Sequence, residues 1–254
     1  MPAENPRLAV LIDADNTPAA IVDGLFDEIA RLGEASVRRI YGDFAGPHLK
    51  KWQAPLMAHA INPTQQFAYT KGKNASDITL VIEAMDLMHE GRVDGFCLVS
   101  SDSDFTRLAS RIREQGMAVY GFGAQRTPEA FVKACTRFIY IENLVEPVEE
   151  EAPAPAKPAT GRRRKTAAVD EVPQPIRLPP SKAVPLFHKA MGQMEDEDGW
   201  YDLSALGSQL SKLYPDFDPR TYGQAKLSTL VSKTGAFEER KSGRHIELRR
   251  KPQK

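Results

Sequence analysis

Residues 97–105 read CLVSSDSDF, and the fold is decided by how this stretch is read. A short apolar run (the strand signal begins at VDGF, residues 93–96) meets two serines, and Asp102 and Asp104 then stand one residue apart. An apolar run of this length, closed by turn-forming residues, predicts a buried strand. The following DFTRLASRIREQG has helical periodicity and stops at a glycine, so the unit is strand, turn, helix. Two carboxylates at such a turn have two explanations. They cap the next helix, or they form one wall of a cation site.

The same unit recurs on both sides. LAVLID (8–13) predicts a strand. TPAAIVDGLFDEIARLG follows as a helix, with Thr17 as N-cap, Pro18 at the first helical position and Gly33 as its stop. ASVRRIYGD is a strand, PHLKKWQAPLMAHA a helix bent near Pro55, and QQFAYT a short strand. ASDITLVIEAMDLMHEG is a helix whose apolar positions are Ile78, Val81, Ile82, Met85 and Met88. After the opening unit come MAVYGFG as a strand, TPEAFVKAC as a helix and RFIYI as a last strand. Strands alternating with helices predict an α/β domain, a parallel sheet covered on both faces. Ligands of such sheets lie outside the carboxyl ends of the strands.

Aspartates gather at those ends. Asp13 and Asp15 follow one strand, Asp43 the next, and Asp102 and Asp104 a third, while Asp77 opens the helix after TKGKNAS. Singly, each is explained by an Asx turn, a cap or the helix dipole. Together they repel one another unless a cation sits among them. Hard oxygen donors without a Cys or His cluster select Mg²⁺ or Mn²⁺, and the chemistry that follows is metal-assisted phosphodiester hydrolysis. In this reading Asp13, Asp77 and Asp102 are ligands, direct or through water. Asp104 is a ligand or orients the attacking water, and Asn16 holds a water or a phosphate oxygen. Lys71 and Lys73, flanking Gly72 just before Asp77, suit a polyanionic substrate.

The totals agree with a soluble chain. Among 254 residues, 34 Lys and Arg balance 34 Asp and Glu, so overall charge implies no partner. Cys97 and Cys135 lie far apart in apolar surroundings, which reads as buried free thiols in a reducing compartment. No apolar run approaches the roughly 20 residues of a membrane helix, and MPAENPRLAVLID lacks the basic start and apolar centre of an export signal. The expected location is cytoplasmic.

Composition shifts at residues 146–180, rich in Pro and charge and poor in large apolar residues, which predicts a disordered linker between domains at 1–145 and 181–254. GRRRK (161–165) inside it is a solvated charge cluster or an auxiliary nucleic-acid contact. In the last segment SKAVPLFHKAMGQM, LSALGSQLSKLY and DPRTYGQAKLSTLVSKTG read as three helices, and AFEERKSGRHIELRR as a hairpin. That order is a winged helix-turn-helix.

VLIDADN, KGKNASDITLVIEAMDLM and CLVSSDSDFTRLASRIREQGMAVYGFG, in that order, resemble the NYN domain of the LabA-like type, within the PIN-like nuclease superfamily. The resemblance covers residues 7–143. It implies a three-layer Rossmann-like fold, a divalent metal site at Asp13, Asp77, Asp102 and Asp104 with Asn16 as companion, and ribonuclease activity. GWYDLSALGSQLSKLYPDFDPRTYGQAKLSTLV resembles the OST-HTH, or LOTUS, domain, which implies RNA binding, with a protein partner in some members. Candidate RNA contacts are Arg220, Tyr222, Lys226, Lys241 and Arg244, with Tyr222 equally readable as core. Two other readings stay open. One is a non-catalytic RNA-binding adaptor. The other is a DxDxT-type phosphatase, since LIDADNT offers Asp13 as nucleophile and Asp15 as acid, although no cap insertion follows the first strand and RIYGD stands where a Ser or Thr is required.

Overall fold

A computed structural model describes residues 5–44, 47–65, 75–145, 173–175, 177–196, 198–242 and 245–251. Lys71, Lys73, Arg244, the GRRRK cluster and most of the expected linker lie outside the described residues.

The first domain is a sheet of six parallel strands in the order β3-β2-β1-β4-β5-β6. These are β1 (Arg7–Asp13), β2 (Glu34–Gly42), β3 (Asn62–Gln65), β4 (Gly95–Val99), β5 (Ala118–Gly123) and β6 (Arg137–Tyr140). Helices α1 (Val22–Ala30), α2 (Gln53–Ala58), α3 (Ala75–Glu90), α4 (Thr106–Glu114) and α5 (Glu129–Ala134) complete it. Every residue of β4 is buried, as is β1 after Arg7, which central parallel strands require because both faces are covered. One core contains Leu11, Phe96, Leu108 and Phe131, and the other Val10, Ile12, Leu25 and Val99. Strand direction alternates side chains between these two cores.

Several local expectations are refined. Thr17 caps nothing. Its hydroxyl is buried and donates to the Val99 carbonyl (3.2 Å), fastening the β1 turn to β4. A 3₁₀ turn at Ala19–Ile21 then opens α1. Gly33 does more than stop a helix, because a Cβ there would stand 2.3 Å from the Pro6 carbonyl oxygen. The bent helix splits at Trp52, six residues of 3₁₀ before α2, and Pro55 lies in the first turn of α2, where it is tolerated. A strand is described at Asn62–Gln65, and residues 66–70 of the strand expected at QQFAYT lie outside the described residues. On α3 the buried residues are Leu80, Ala84, Leu87 and Met88, whereas Ile78 and Ile82 are 61% and 55% exposed.

The second domain has α6 (Val184–Met191), α7 (Leu203–Leu213), α8 (Leu227–Thr234) and an antiparallel sheet of β7 (Tyr201–Asp202), β9 (His245–Arg250) and β8 (Phe237–Ser242), in that order. The third helix is shorter than its sequence suggests. Pro219–Thr221 form a 3₁₀ turn capped by the Asp218 side chain, and Gly223 at φ +68° breaks the chain before α8. Arg177 and Leu178, within the stretch read as linker, pair with Tyr222 and Thr221.

The two domains touch. The Phe138 amide on edge strand β6 donates to the Pro215 carbonyl (2.8 Å), Tyr140 Oη to Asp216 (2.8 Å), and Asn143 Nδ2 to the Thr221 hydroxyl (3.0 Å). Arg220 Nη1 reaches Glu28 on α1 (2.9 Å), a carboxylate only 4% exposed that Arg31 and Arg137 also approach. The contact covers a strand edge that would otherwise present unpaired amides.

Candidate active site

The strand order reverses between β1 and β4, so the cleft at their carboxyl ends is where a ligand of this fold binds. Register places Ile12 beside Val99, which sets Asp13 next to Ser100. Asp13 is 1% exposed. Its Oδ2 accepts from Ser100 Oγ (2.7 Å) and Asn16 Nδ2 (2.8 Å), and its Oδ1 from the Asp15 amide (3.1 Å). Burial pushes its pKa up, while the hydroxyl and amide donors oppose that rise.

Ser100 joins the two strand ends. It is buried, donates to Asp13 and accepts from the Asp102 amide (3.0 Å). Sequence reasoning passed over it as one of two serines in a turn; its role depends on β1 lying against β4. Gly123 on β5 permits this crowding, since a Cβ there would stand 2.6 Å from the Ser100 carbonyl oxygen and 2.7 Å from Thr127 Oγ1.

Asp102 carries out the capping role considered for it. Its Oδ1 accepts from the Asp104 amide (2.9 Å) and opens the 3₁₀ turn Ser103–Phe105 before α4. The turn leaves Asp104 exposed and Asp102 part-buried. Asp77 enters from the first turn of α3. Partial burial, then the charges of Asp13, Asp102, Asp15 and Asp104, raise its pKa to about 6. Four carboxylates therefore oppose the ionisation of Asp77 in this cleft. Ser76 Oγ also donates to Asp15 (3.3 Å), tying α3 to the β1 turn. Asp43 stands apart, held by Gln65 (2.7 Å), and exerts no comparable influence on Asp77.

Whether these residues suit a divalent ion is a question of donors and spacing. The donors are hard oxygens under mutual repulsion, which fits Mg²⁺ or Mn²⁺. Among the described residues, no three acidic, His or Cys side chains are gathered closely enough to form a coordination sphere outright. A magnesium-like ion keeps several of its waters and needs only one or two direct carboxylates, so the set fits an ion held partly through water.

The expected RNA contacts divide. Lys226 and Lys241 are exposed. Tyr222 is core, 8% exposed and packed near Phe217. Arg220 faces the first domain, committed to Glu28 and Asp218, so it joins domains where a free cation was expected. Both cysteines are buried free thiols, and burial raises the pKa of each. No described helix is long and apolar enough to cross a membrane.

Comparison with known families matches an NYN domain to residues 7–142 and an OST-HTH/LOTUS domain to residues 175–246. No curated protein matches. Among solved structures, a protein of unknown function from Vibrio parahaemolyticus is 18% identical, covering 56% of this chain and 96% of that one, with a TM-score of 0.48. An uncharacterized protein from Nitrosomonas europaea is 33% identical, covering 39% and 95%, with a TM-score of 0.26. MurG from Acinetobacter baumannii is 13% identical, covering 90% and 70%, with a TM-score of 0.36. The two family matches support, at the level of class, a nuclease joined to an RNA-binding module. With its first match spanning more than half of its length, and with Asp13, Asp77, Asp102 and Asp104 at one cleft, the chain belongs to the NYN domain family and carries an OST-HTH/LOTUS domain behind it.

Proposed function

We propose that the protein is a Mg²⁺- or Mn²⁺-dependent ribonuclease that hydrolyses RNA phosphodiester bonds and holds its substrate with the C-terminal domain. The observation that supports this most is the convergence on Asp77, whose ionisation is opposed by Asp13, Asp102, Asp15 and Asp104. Carboxylates kept close at such a cost call for a cation. The ion, held by Asp13, Asp77 and Asp102, would supply Lewis acidity at the scissile phosphate and offset developing negative charge. The chain does the rest. Ser100 and Asn16 fix the Asp13 carboxylate in one orientation. Asp102, by capping the turn, aims Asp104 outward, where it can accept the proton of an attacking water. Asn16 retains a further N–H for a phosphate oxygen. Exposed Lys226 and Lys241 add phosphate affinity.

The test is cleavage of labelled single-stranded RNA with and without Mn²⁺. Asp13→Asn and Asp104→Asn are expected to reduce turnover by at least about 10²-fold, in the range of lost acid–base or electrostatic groups. Turnover that is indifferent to both metal and substitutions rules the enzyme out and leaves a non-catalytic RNA-binding adaptor. The match to the NYN family speaks against the phosphatase.

A further inference from the structure

Trp200 sits in an arrangement that none of the chemistry above uses. It immediately precedes β7, whose Tyr201 pairs with Leu248 of β9. Phe237 and Leu248 turn inward to the core of the second domain. By strand alternation Glu238, Arg240, Glu247 and Arg249 occupy the opposite face. Register sets Glu238 beside Arg249 and Arg240 beside Glu247. The Arg240 guanidinium lies 4.2 Å from the centre of the Trp200 ring and that of Arg249 lies 4.7 Å away. Arg240 Nε donates to Glu247, and Arg249 donates through Nε and Nη2 to Glu238.

These ion pairs decide what the surface can offer. The N–H groups engaged with glutamate, Nε of Arg240 and Nε and Nη2 of Arg249, are already committed to a carboxylate. They do hold each guanidinium plane in place, so its flat face is presented without further loss of rotamer freedom. Both arginine side chains are 47% exposed. Flat cationic and aromatic faces are what unpaired nucleobases stack on, and duplex bases cannot reach them. The hairpin segment 237–251 carries six Lys or Arg against three Glu, an excess that suits a polyanion. No exposed large apolar side chain lies on this sheet among the described residues, so an apolar peptide has little to bury here.

We propose that the outer face of the β7-β9-β8 sheet is a stacking platform for unpaired bases of single-stranded RNA, built from Trp200, Arg240 and Arg249. This rests on the RNA-binding reading of the C-terminal domain and locates it away from the third helix.

The chain has two tryptophans, and Trp52 is buried in the first domain. Trp52→Phe in the full chain therefore leaves Trp200 as the reporting fluorophore. Titration is made in EDTA, which prevents cleavage, with an unstructured RNA oligonucleotide and with the same sequence as a duplex. The expected result is quenching of Trp200 emission by the single strand and weaker binding of the duplex. Trp200→Ala should weaken single-strand binding by about tenfold. Arg240→Lys with Arg249→Lys should do the same with net charge and salt dependence unchanged, because the planes are lost and the charges kept. Trp200→Phe, which retains a ring, should fall between, and unchanged melting midpoints exclude misfolding as the cause. If the lysine variant binds like the parent, or RNA binds without quenching, the platform assignment is wrong while RNA binding stands. If the variants lose only a protein partner, the surface belongs to that partner and the assignment is also wrong. If the parent binds no RNA, both readings fail.

Discussion

Ser100 shows how much one side chain can carry at a strand end. Its hydroxyl donates to Asp13 and accepts from the Asp102 amide, so it sets the distance between two elements that each bring a carboxylate. Ser100→Ala should leave the fold intact and raise the Mn²⁺ concentration needed for cleavage by about 10–100-fold, the usual cost of losing an outer partner of a metal ligand. Activity measured across Mn²⁺ concentrations checks this, and high Mn²⁺ should restore most of it. Asp77 illustrates the opposite economy, since its charge works against the fold. Its pKa is about 6 in the folded chain against an ordinary value of 3.8, so the folded state binds more protons than the unfolded state between these values. Stability of the metal-free protein therefore rises as pH falls from above 6 toward 4, and the penalty is complete above 6. Asp77→Asn should stabilise the metal-free protein by on the order of 1 kcal/mol at pH 8, after discounting for partial exposure, while RNA cleavage is lost. Melting curves of both proteins should converge near pH 4.

At the scale of elements, α3 separates what periodicity reveals from what it leaves open. Its apolar positions are numerous enough to fit more than one inward face, one of which would include Ile78 and Ile82. The helix instead buries Leu80, Ala84, Leu87 and Met88, which leaves Ile78 and Ile82 outside. Leu80→Ala should cost about 2–4 kcal/mol and Ile78→Lys no more than about 0.5 kcal/mol, as urea unfolding would show. The choice of face also orients Asp77 toward Asp13 and Asp102, so packing at Leu80 and function at Asp77 are set by one rotation of the helix. Strand β4 was legible throughout, since a wholly apolar run can serve only a strand covered on both sides. The third helix of the second domain was not, because Gly223 at positive φ interrupts a pattern that stays amphipathic across the break.

At the scale of the whole molecule, the C-terminal domain is docked on the first and not merely tethered to it. Pro215, Asp216, Arg220 and Thr221 meet Phe138, Tyr140, Glu28 and Asn143, and DFDPRTYG supplies much of the contact. Arg220→Ala removes the second domain's cation from a buried carboxylate and should cost about 2–4 kcal/mol of docking. Small-angle scattering should then show a larger radius of gyration, and the two domains should melt in separate transitions.

By itself the sequence determined the α/β class, the order of strands and helices, the winged second domain and the aspartates at strand ends. It could do so because these rest on local patterns: burial on one or both faces, caps, and glycines at turns. The tertiary structure alone decided that β1 lies against β4, that Ser100 bridges Asp13 to the Asp102 turn, which face of α3 is buried, and that Arg220 points into the first domain. It also brought Arg240 and Arg249 over Trp200. Each of these joins residues tens of positions or more apart, and such contacts follow from strand order and packing, which hydrophobic periodicity does not encode.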